Sequence, residues 1–420
     1  MDMVADAAAS GAGGSIPFRH RPDRSCGLGG RAGSGGVVHS GAACHTIARS
    51  VVGVARAPRV GRDFRRWPWC RHRVDRNRLA AERGNHGPMD THDMNSFSFH
   101  GGRLADAMAQ FGMGKAPWID LSTGINPHGW PGADNLAVDW QALPDTGALN
   151  DLEAAAAACF GTDPAHVCAV PGTEIGLRML GDILPGAAIH AQPSYRTHGE
   201  MIPRSRPVAL TELTGTEEAT IILANPNNPD GRIMSPATLL GWLAARRDSA
   251  AWLVVDEAFA DAAPHSSLAA HVQDGQRLII FRSFGKFFGL AGVRLGFVLG
   301  PRALIAQYRQ RLGSWPLSAA ALAIGTAAYQ DVDWTAAMRM ALREQADALD
   351  AVLARRGYSA IGACPLFRLI ETDDAAALFE RLARHSILTR PFDYDPRWLR
   401  LGLPADRQAL DRLDAALADD

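Results

Sequence analysis

Lysine is nearly absent from this chain: among 43 basic residues only Lys115 and Lys286 are lysines, and the rest are arginines. No apolar run reaches the roughly 18 residues of a membrane-spanning helix, which argues against a transmembrane segment. The six cysteines (Cys26, Cys44, Cys70, Cys159, Cys168 and Cys364) show no disulfide-framework spacing. With no secretory apolar core either, the expected compartment is the reducing cytoplasm. Net charge is −1, so composition as a whole points to neither nucleic acid nor a membrane surface as partner. What remains is a chain of 420 residues, 47% hydrophobic, long enough for one large core or for a core with a smaller satellite.

The charge is unevenly spread. Residues 1–93 hold 15 arginines, no lysine and 8 acidic residues, in stretches such as "GLGGRAGSGG" and "RDFRRWPWCRHRVDRNR". Such a segment buries too little apolar surface to offset its ordering entropy, so a disordered or spurious leader is expected. A basic nucleic-acid arm using Trp67 and Trp69, an organelle transit peptide, and zinc binding by Cys44-His45 and Cys70-Arg71-His72 are the alternatives. "GLGGRA" fits a dinucleotide fingerprint only formally, since no strand precedes it and no helix follows. Met89 and Met94 are alternative starts. No metal site is expected.

From about Ser96 the texture changes. The runs "HVCAV" (166–170), "GAAIHAQ" (186–192), "ATIILAN" (219–225), "AWLVVDEA" (251–258) and "RLIIFRSF" (277–284) are near-continuously apolar and end in polar or glycine-rich turns. They predict strands buried on both faces of a mainly parallel sheet, alternating with helices in an α/β domain over about 94–310. After about Pro301, an Ala/Leu/Arg-rich stretch predicts one or two long helices. The final stretch reads as strand, helix, strand, turn, strand, a smaller α+β domain over 311–420.

In open α/β sheets ligands bind at the carboxyl ends of strands, and the informative residues lie there. After "HVCAV" comes Pro171-Gly172-Thr173-Glu174 and then a helical run, a natural phosphate cradle or merely a turn. Tyr195 follows the next run after Pro193-Ser194 and offers a face to stack on a flat heteroaromatic ring, or else packs a loop. "NPNNPDG" is explained by turns alone, but an amide at Asn228 has a further use as donor to a phenolate. Asp256 follows four apolar residues and needs a cationic partner, either an arginine or a protonated ring nitrogen. Lys286 follows "RLIIFRSF". Unlike a guanidinium, an amine can shed its proton and attack a carbonyl. Ser283 and Arg294 stand ready to clamp a phosphate. Taken together this inventory describes a pyridoxal 5′-phosphate site: phosphate anchored, ring stacked, ring nitrogen paired with a carboxylate, aldehyde held by the lysine.

With "SFGKFFGLAGVRLG" and "NPNNPDG" in hand, residues 96–415 resemble the fold-type I, aspartate-aminotransferase-like enzymes. The resemblance implies a mostly parallel large-domain sheet, a smaller C-terminal domain and a homodimer. It assigns Lys286 the cofactor aldehyde, Asp256 the pyridinium nitrogen, Asn228 the cofactor O3′ and Tyr195 the ring face. Gly172, Thr173, Ser283 and Arg294 take the phosphate, and Arg400 in "WLRLGLP" takes the substrate α-carboxylate. Within the family the chain looks most like the cobalamin-pathway threonine-phosphate decarboxylases, on "FHGGRLADA", "IDLSTGINPHGWP" and Phe259 in "DEAF". That branch implies conversion of L-threonine O-3-phosphate to (R)-1-aminopropan-2-yl phosphate and carbon dioxide. Substrate contacts would come from His100, Gly101, Gly124, Asn228, Arg390 and Arg400.

Three residues depart from the family pattern. Leu143 stands where relatives place a tyrosine that reaches the partner subunit's cofactor, Gly285 where many carry a hydroxyl, and Arg103 where asparagine is common. A histidinol-phosphate aminotransferase needs the same lysine, aspartate and arginines and is the alternative. A catalytically idle cofactor sensor is a further one.

Overall fold

The computed structural model describes residues 97–114, 116–215, 218–246 and 249–418; the leader with all its readings, the starts at Met89 and Met94, and Lys115 lie outside the described residues. Thirteen strands occur among these: β1 (Ile119–Asp120), β2 (Val167–Val170), β3 (Ala188–Gln192), β4 (Arg206–Ala209), β5 (Thr220–Ala224), β6 (Leu253–Asp256), β7 (Leu278–Ser283), β8 (Gly296–Leu299), β9 (Ala360–Ile361), β10 (Phe367–Glu371), β11 (Ile387–Leu388), β12 (Arg390–Pro391) and β13 (Trp398–Gly402). Longer helices are α1 (Leu104–Phe111), α2 (Thr146–Phe160), α3 (Thr173–Ile183), α4 (Pro236–Ala245), α5 (Arg302–Leu312), α6 (Ala319–Gln330), α7 (Val332–Arg355), α8 (Ala375–Arg384) and α9 (Arg407–Ala418).

Seven strands form the large sheet in the order β2-β8-β7-β6-β5-β3-β4. Every residue of β5, β6 and β8 is buried, as expected where helices cover both faces and the sequence reads as an unbroken apolar run. Each of the five predicted strands is present, and the α/β class follows. Two strands lacked a legible signal. β4 carries Pro207, tolerable because it lies at the sheet's edge, where a missing N–H breaks no ladder. β8 runs antiparallel to both β2 and β7, so the sheet is mainly parallel, as expected, with this one strand reversed and "HVCAV" paired to it. Two reversals restore direction, so β2 still runs with β7 and its carboxyl end opens on the same edge.

The smaller sheet, β12-β13-β10-β9, is antiparallel throughout. Helix α8 packs on this region, burying Leu378, Phe379 and Leu382, with Asp374 capping the N–H groups of Ala376 and Ala377. The two predicted long helices are α6 and α7, and the closing helix α9 was not foreseen.

The segment after β1 braces the two sheets. Leu121 N–H donates to Leu388 O and its carbonyl accepts from Gly402 N–H, each at 2.7 Å. Five residues on, Asn126 N–H donates to Lys286 O (2.9 Å) and its Nδ2 to Phe287 O (2.8 Å). One short loop therefore links the end of β13 to the turn that carries the lysine.

Candidate active site

A single pocket at the carboxyl edge of the large sheet is lined by every site residue predicted from the sequence, and encloses about 1090 Å³ with its open mouth included. Lys286 lies in the one-turn helix that follows β7, its Nζ 6.0 Å from the centre of the Phe259 ring. Burial, with the charges of Arg400 and Arg390 added, lowers its pKa to about 8, against an opposing pull from Asp256. A minority of this amine, far more than for an ordinary lysine, is therefore neutral near physiological pH.

Gly172 precedes α3 with φ 90°, and a Cβ there would lie 2.7 Å from Arg294 Nη2. A side chain would thus fill the cradle between the helix start and that guanidinium. The N–H groups of Thr173 and Glu174 in the first turn have no helical acceptor behind them and supply anion donors, assisted by the helix dipole. The Thr173 hydroxyl is spent differently: it donates to Arg282 O at 3.0 Å. Ser283, ending β7, completes this corner of the pocket.

Asp256, at the end of β6, forms an ion pair with no arginine among the described residues. His198 Nε2 lies 3.0 Å from its Oδ2, and Ala258 N–H donates to Oδ1 at 3.1 Å. Arg282, on the neighbouring strand β7, instead binds Glu257 and Asp261 within the fold. A carboxylate seated against a fully buried imidazole and still facing the pocket is suited to hold a protonated ring nitrogen. Of the asparagines in "NPNNPDG", Asn225 and Asn227 spend their amides on Met234 O, Ser266 O, Pro193 O and Asp230, as turn residues do. Asn228 faces the pocket, and its Oδ1 accepts from Arg400 at 2.6 Å, which leaves the amide's donor end for a ligand.

Tyr195 is tethered by its hydroxyl, which donates to Glu174 Oε2 at 3.0 Å, and its ring meets His198 edge-on at 5.8 Å. Burial, then Glu174, pushes the phenol's pKa up to about 12, so the ring offers a face rather than a proton. Glu174 also accepts from Thr197 and Arg178. Sequence reasoning missed Glu174, His198 and Thr123, which lines the pocket; an acidic residue just inside a helix start was the signal for the first.

Arg390 and Arg400 face each other across the β12–β13 pair and both line the pocket. Each is buried, neither meets a carboxylate among the described residues, and the Nε of each has no hydrogen-bond partner. Burial and then the neighbouring Arg390 bring Arg400 down to about 9, and burial likewise lowers Arg390. Unmatched buried cations of this kind await anions. His100 and Gly101 arrive on the amino-terminal arm, where Arg390 Nη2 donates to Phe99 O at 3.3 Å. Burial, with Arg390 second, lowers the His100 pKa. Gly124 sits under the rings of Phe367 and Phe259, with no room for a Cβ.

The departures have local reasons or none. A Cβ on Gly285 would lie 2.7 Å from Ala291 Cα, so no hydroxyl side chain fits that backbone. Arg103 turns to solvent and pairs with Asp106 at 2.6 Å, outside the pocket. Leu143 is 65% exposed and contributes nothing to this pocket.

The set of donors fits an aromatic aldehyde bearing a phosphate: cradle, tethered ring face, carboxylate for a ring nitrogen, and a partly neutral amine. Comparison with known proteins agrees. Residues 118–417 match the family described as aminotransferase class I and II. A threonine-phosphate decarboxylase of Sinorhizobium sp is 40% identical over 328 residues, covering 76% of this chain and 97% of its own length. A second, from Pseudomonas aeruginosa, is 39% identical over 331 residues, covering 76% and 96%. Among solved structures, histidinol-phosphate aminotransferase from Sinorhizobium meliloti in complex with pyridoxal-5′-phosphate superposes with a TM-score of 0.67 at 21% identity, covering 79% of this chain and 97% of that one, a likeness of fold.

Proposed function

We propose a decarboxylase within the aminotransferase class I and II family, to which this chain belongs: it converts L-threonine O-3-phosphate to (R)-1-aminopropan-2-yl phosphate and carbon dioxide, serving cobalamin biosynthesis. The observation that carries the reading is the pair of unmatched buried arginines, Arg390 and Arg400, set opposite one another on adjacent strands of one pocket. They call for two anions held together, and this substrate brings a carboxylate and a phosphate. The relatives' activity over nearly their whole length supports the same reaction.

Pyridoxal 5′-phosphate, bound through Lys286, supplies an electron sink for the pair left when the carboxylate departs. Gly172, the Thr173 and Glu174 N–H groups, Ser283 and Arg294 would hold its phosphate, Tyr195 its face, Asp256 its ring nitrogen and Asn228 its O3′. Arg400 fixes the α-carboxylate, braced by Asn228 Oδ1 and by Ser122 O at 3.0 Å. Arg390, His100 and the Gly101 N–H take the remote phosphate. Phe259, backed edge to face by Phe367 at 5.0 Å, gives the pocket an apolar wall that would help exclude water. Lys286, the pocket's amine, then delivers the proton that replaces it.

The large sheet and its helices would form a cofactor domain over 94–310, and the small sheet a domain over 311–420. Free thiols at Cys159, Cys168 and Cys364 favour the cytoplasm, and exposed Trp140, Leu143 and Trp315 favour a homodimer, testable by sedimentation. The deciding assay supplies threonine phosphate with and without 2-oxoglutarate. Carbon dioxide without the oxo acid is expected; turnover that requires the oxo acid and releases no gas would make the enzyme an aminotransferase.

A further inference from the structure

Beside the pocket lies a second cavity that shares the Tyr195 wall and is lined also by Ser194, Arg196, Asp393 and Tyr394. Arg196 follows Tyr195 directly, on the loop after β3. Its guanidinium carbon stands 4.5 Å over the ring of Phe99, and its Nη2 donates to Asp393 Oδ2 at 2.9 Å. Phe99 is the residue whose carbonyl accepts from Arg390, and His100 is next in the chain. Arg196 also acts on His100 electrostatically, adding to the effect of Arg390. Two guanidinium groups and the His100 imidazole therefore converge where the amino-terminal arm crosses the pocket, and among the described residues only Arg196 is engaged by a carboxylate.

That engagement is a weak one. The side chains of Arg196 and Asp393 are 34% and 37% exposed, and exposed ion pairs shift an equilibrium by at most about fivefold. A phosphate monoester carries nearly two charges and three acceptor oxygens, and the planar guanidinium binds such a group bidentately. It outcompetes a single exposed carboxylate.

We propose that Arg196 is a specificity-determining residue for phosphorylated substrates: it exchanges Asp393 for the substrate's remote phosphate and joins Arg390 and His100 there. Asp393 is the anion that occupies Arg196 between turnovers. The proposal rests on the decarboxylase reading above and adds to it a residue outside the main pocket.

The test uses the holoenzyme and two constants: KM for threonine phosphate, and the competitive inhibition constant of unphosphorylated threonine against it. Arg196→Gln should raise the first about five- to tenfold while the second changes less than twofold. Arg196→Lys should recover part of the loss. Asp393→Asn should lower the KM for threonine phosphate about two- to fivefold, because the competing anion is gone. If Arg196→Gln moves both constants together, its role is structural and the proposal falls. If Asp393→Asn raises the KM, Asp393 positions Arg196 rather than standing in for phosphate, and the proposal falls again. A wild-type enzyme that releases no carbon dioxide from threonine phosphate overturns this proposal and the activity together.

Discussion

Two clusters of buried arginine lie near the reacting lysine, and they are balanced in opposite ways. Arg282, on β7, is enclosed by Glu257, Asp261 and Ser267 and covers the ring of Phe160 at 4.3 Å. Burial opposes its charge, but Asp261 and Glu257 more than offset that and hold its pKa above the ordinary value. Arg390 and Arg400, on the small sheet, have no carboxylate among the described residues, and burial lowers both. The first cluster is complete without a ligand. The second has no such internal balance, and on the function proposed above the substrate's anions would supply it. Burial alone separates neither case from the other; the count of opposite charges does.

Substitutions can break this contrast. The largest effect is expected where the clusters meet the chemistry: Lys286→Ala should lose covalent cofactor attachment and at least about 10³-fold in turnover, read by absorbance and carbon dioxide release. Next, Arg282→Met strands two buried carboxylates and should cost about 3–5 kcal/mol of stability, seen as a lowered Tm. Arg390→Met should behave inversely. Its Tm should hold or rise, since an unmatched buried charge is gone, while kcat/KM for threonine phosphate falls about 10- to 150-fold. A Tm loss as large as that of Arg282→Met would erase the distinction.

A pH series sharpens it further. Burial first, and then the unmatched arginines, depress the Lys286 pKa, so the neutral, nucleophilic amine gains population as pH rises through about 8. Capture of pyridoxal 5′-phosphate by the cofactor-free protein should accelerate across that range and then level. In Arg390→Met the midpoint should move upward. The smallest effect is expected at the amino terminus: a chain beginning at Met94 should keep cofactor, Tm and rate within about twofold, since residues 1–93 carry no core patterning.

The sequence showed much of the pocket because the cofactor chemistry needs rare residue types at strand ends. An amine in a lysine-poor chain, a carboxylate after four apolar residues and a glycine before a helix are visible one residue at a time. What stayed hidden depends on pairing through space. His198 meets Asp256 across 58 positions, and nothing near either residue announces the other. Glu174 matters through a tyrosine 21 residues away, and Arg196 through an aspartate 197 residues away. The antiparallel β8 stayed hidden for a similar reason: only "GFVL", it intervenes between strands distant in sequence. Gly285, a departure in the sequence, is explained only by the backbone of Ala291 lying against it.

The brace formed by Leu121 to Asn126 has a geometric consequence. Its one end is pinned to β13 beside Arg400, its other end to the carbonyls of Lys286 and Phe287, and Ser122 O in between receives Arg400 itself. Arg390 is in turn locked to Arg400 by strand register. The jaws of the site are thus set to a fixed gauge. On the contacts proposed above, the pocket would measure its substrate as a calliper does, by the span between amine, carboxylate and phosphate, and a molecule one methylene longer would have to buckle or surrender one of the three grips.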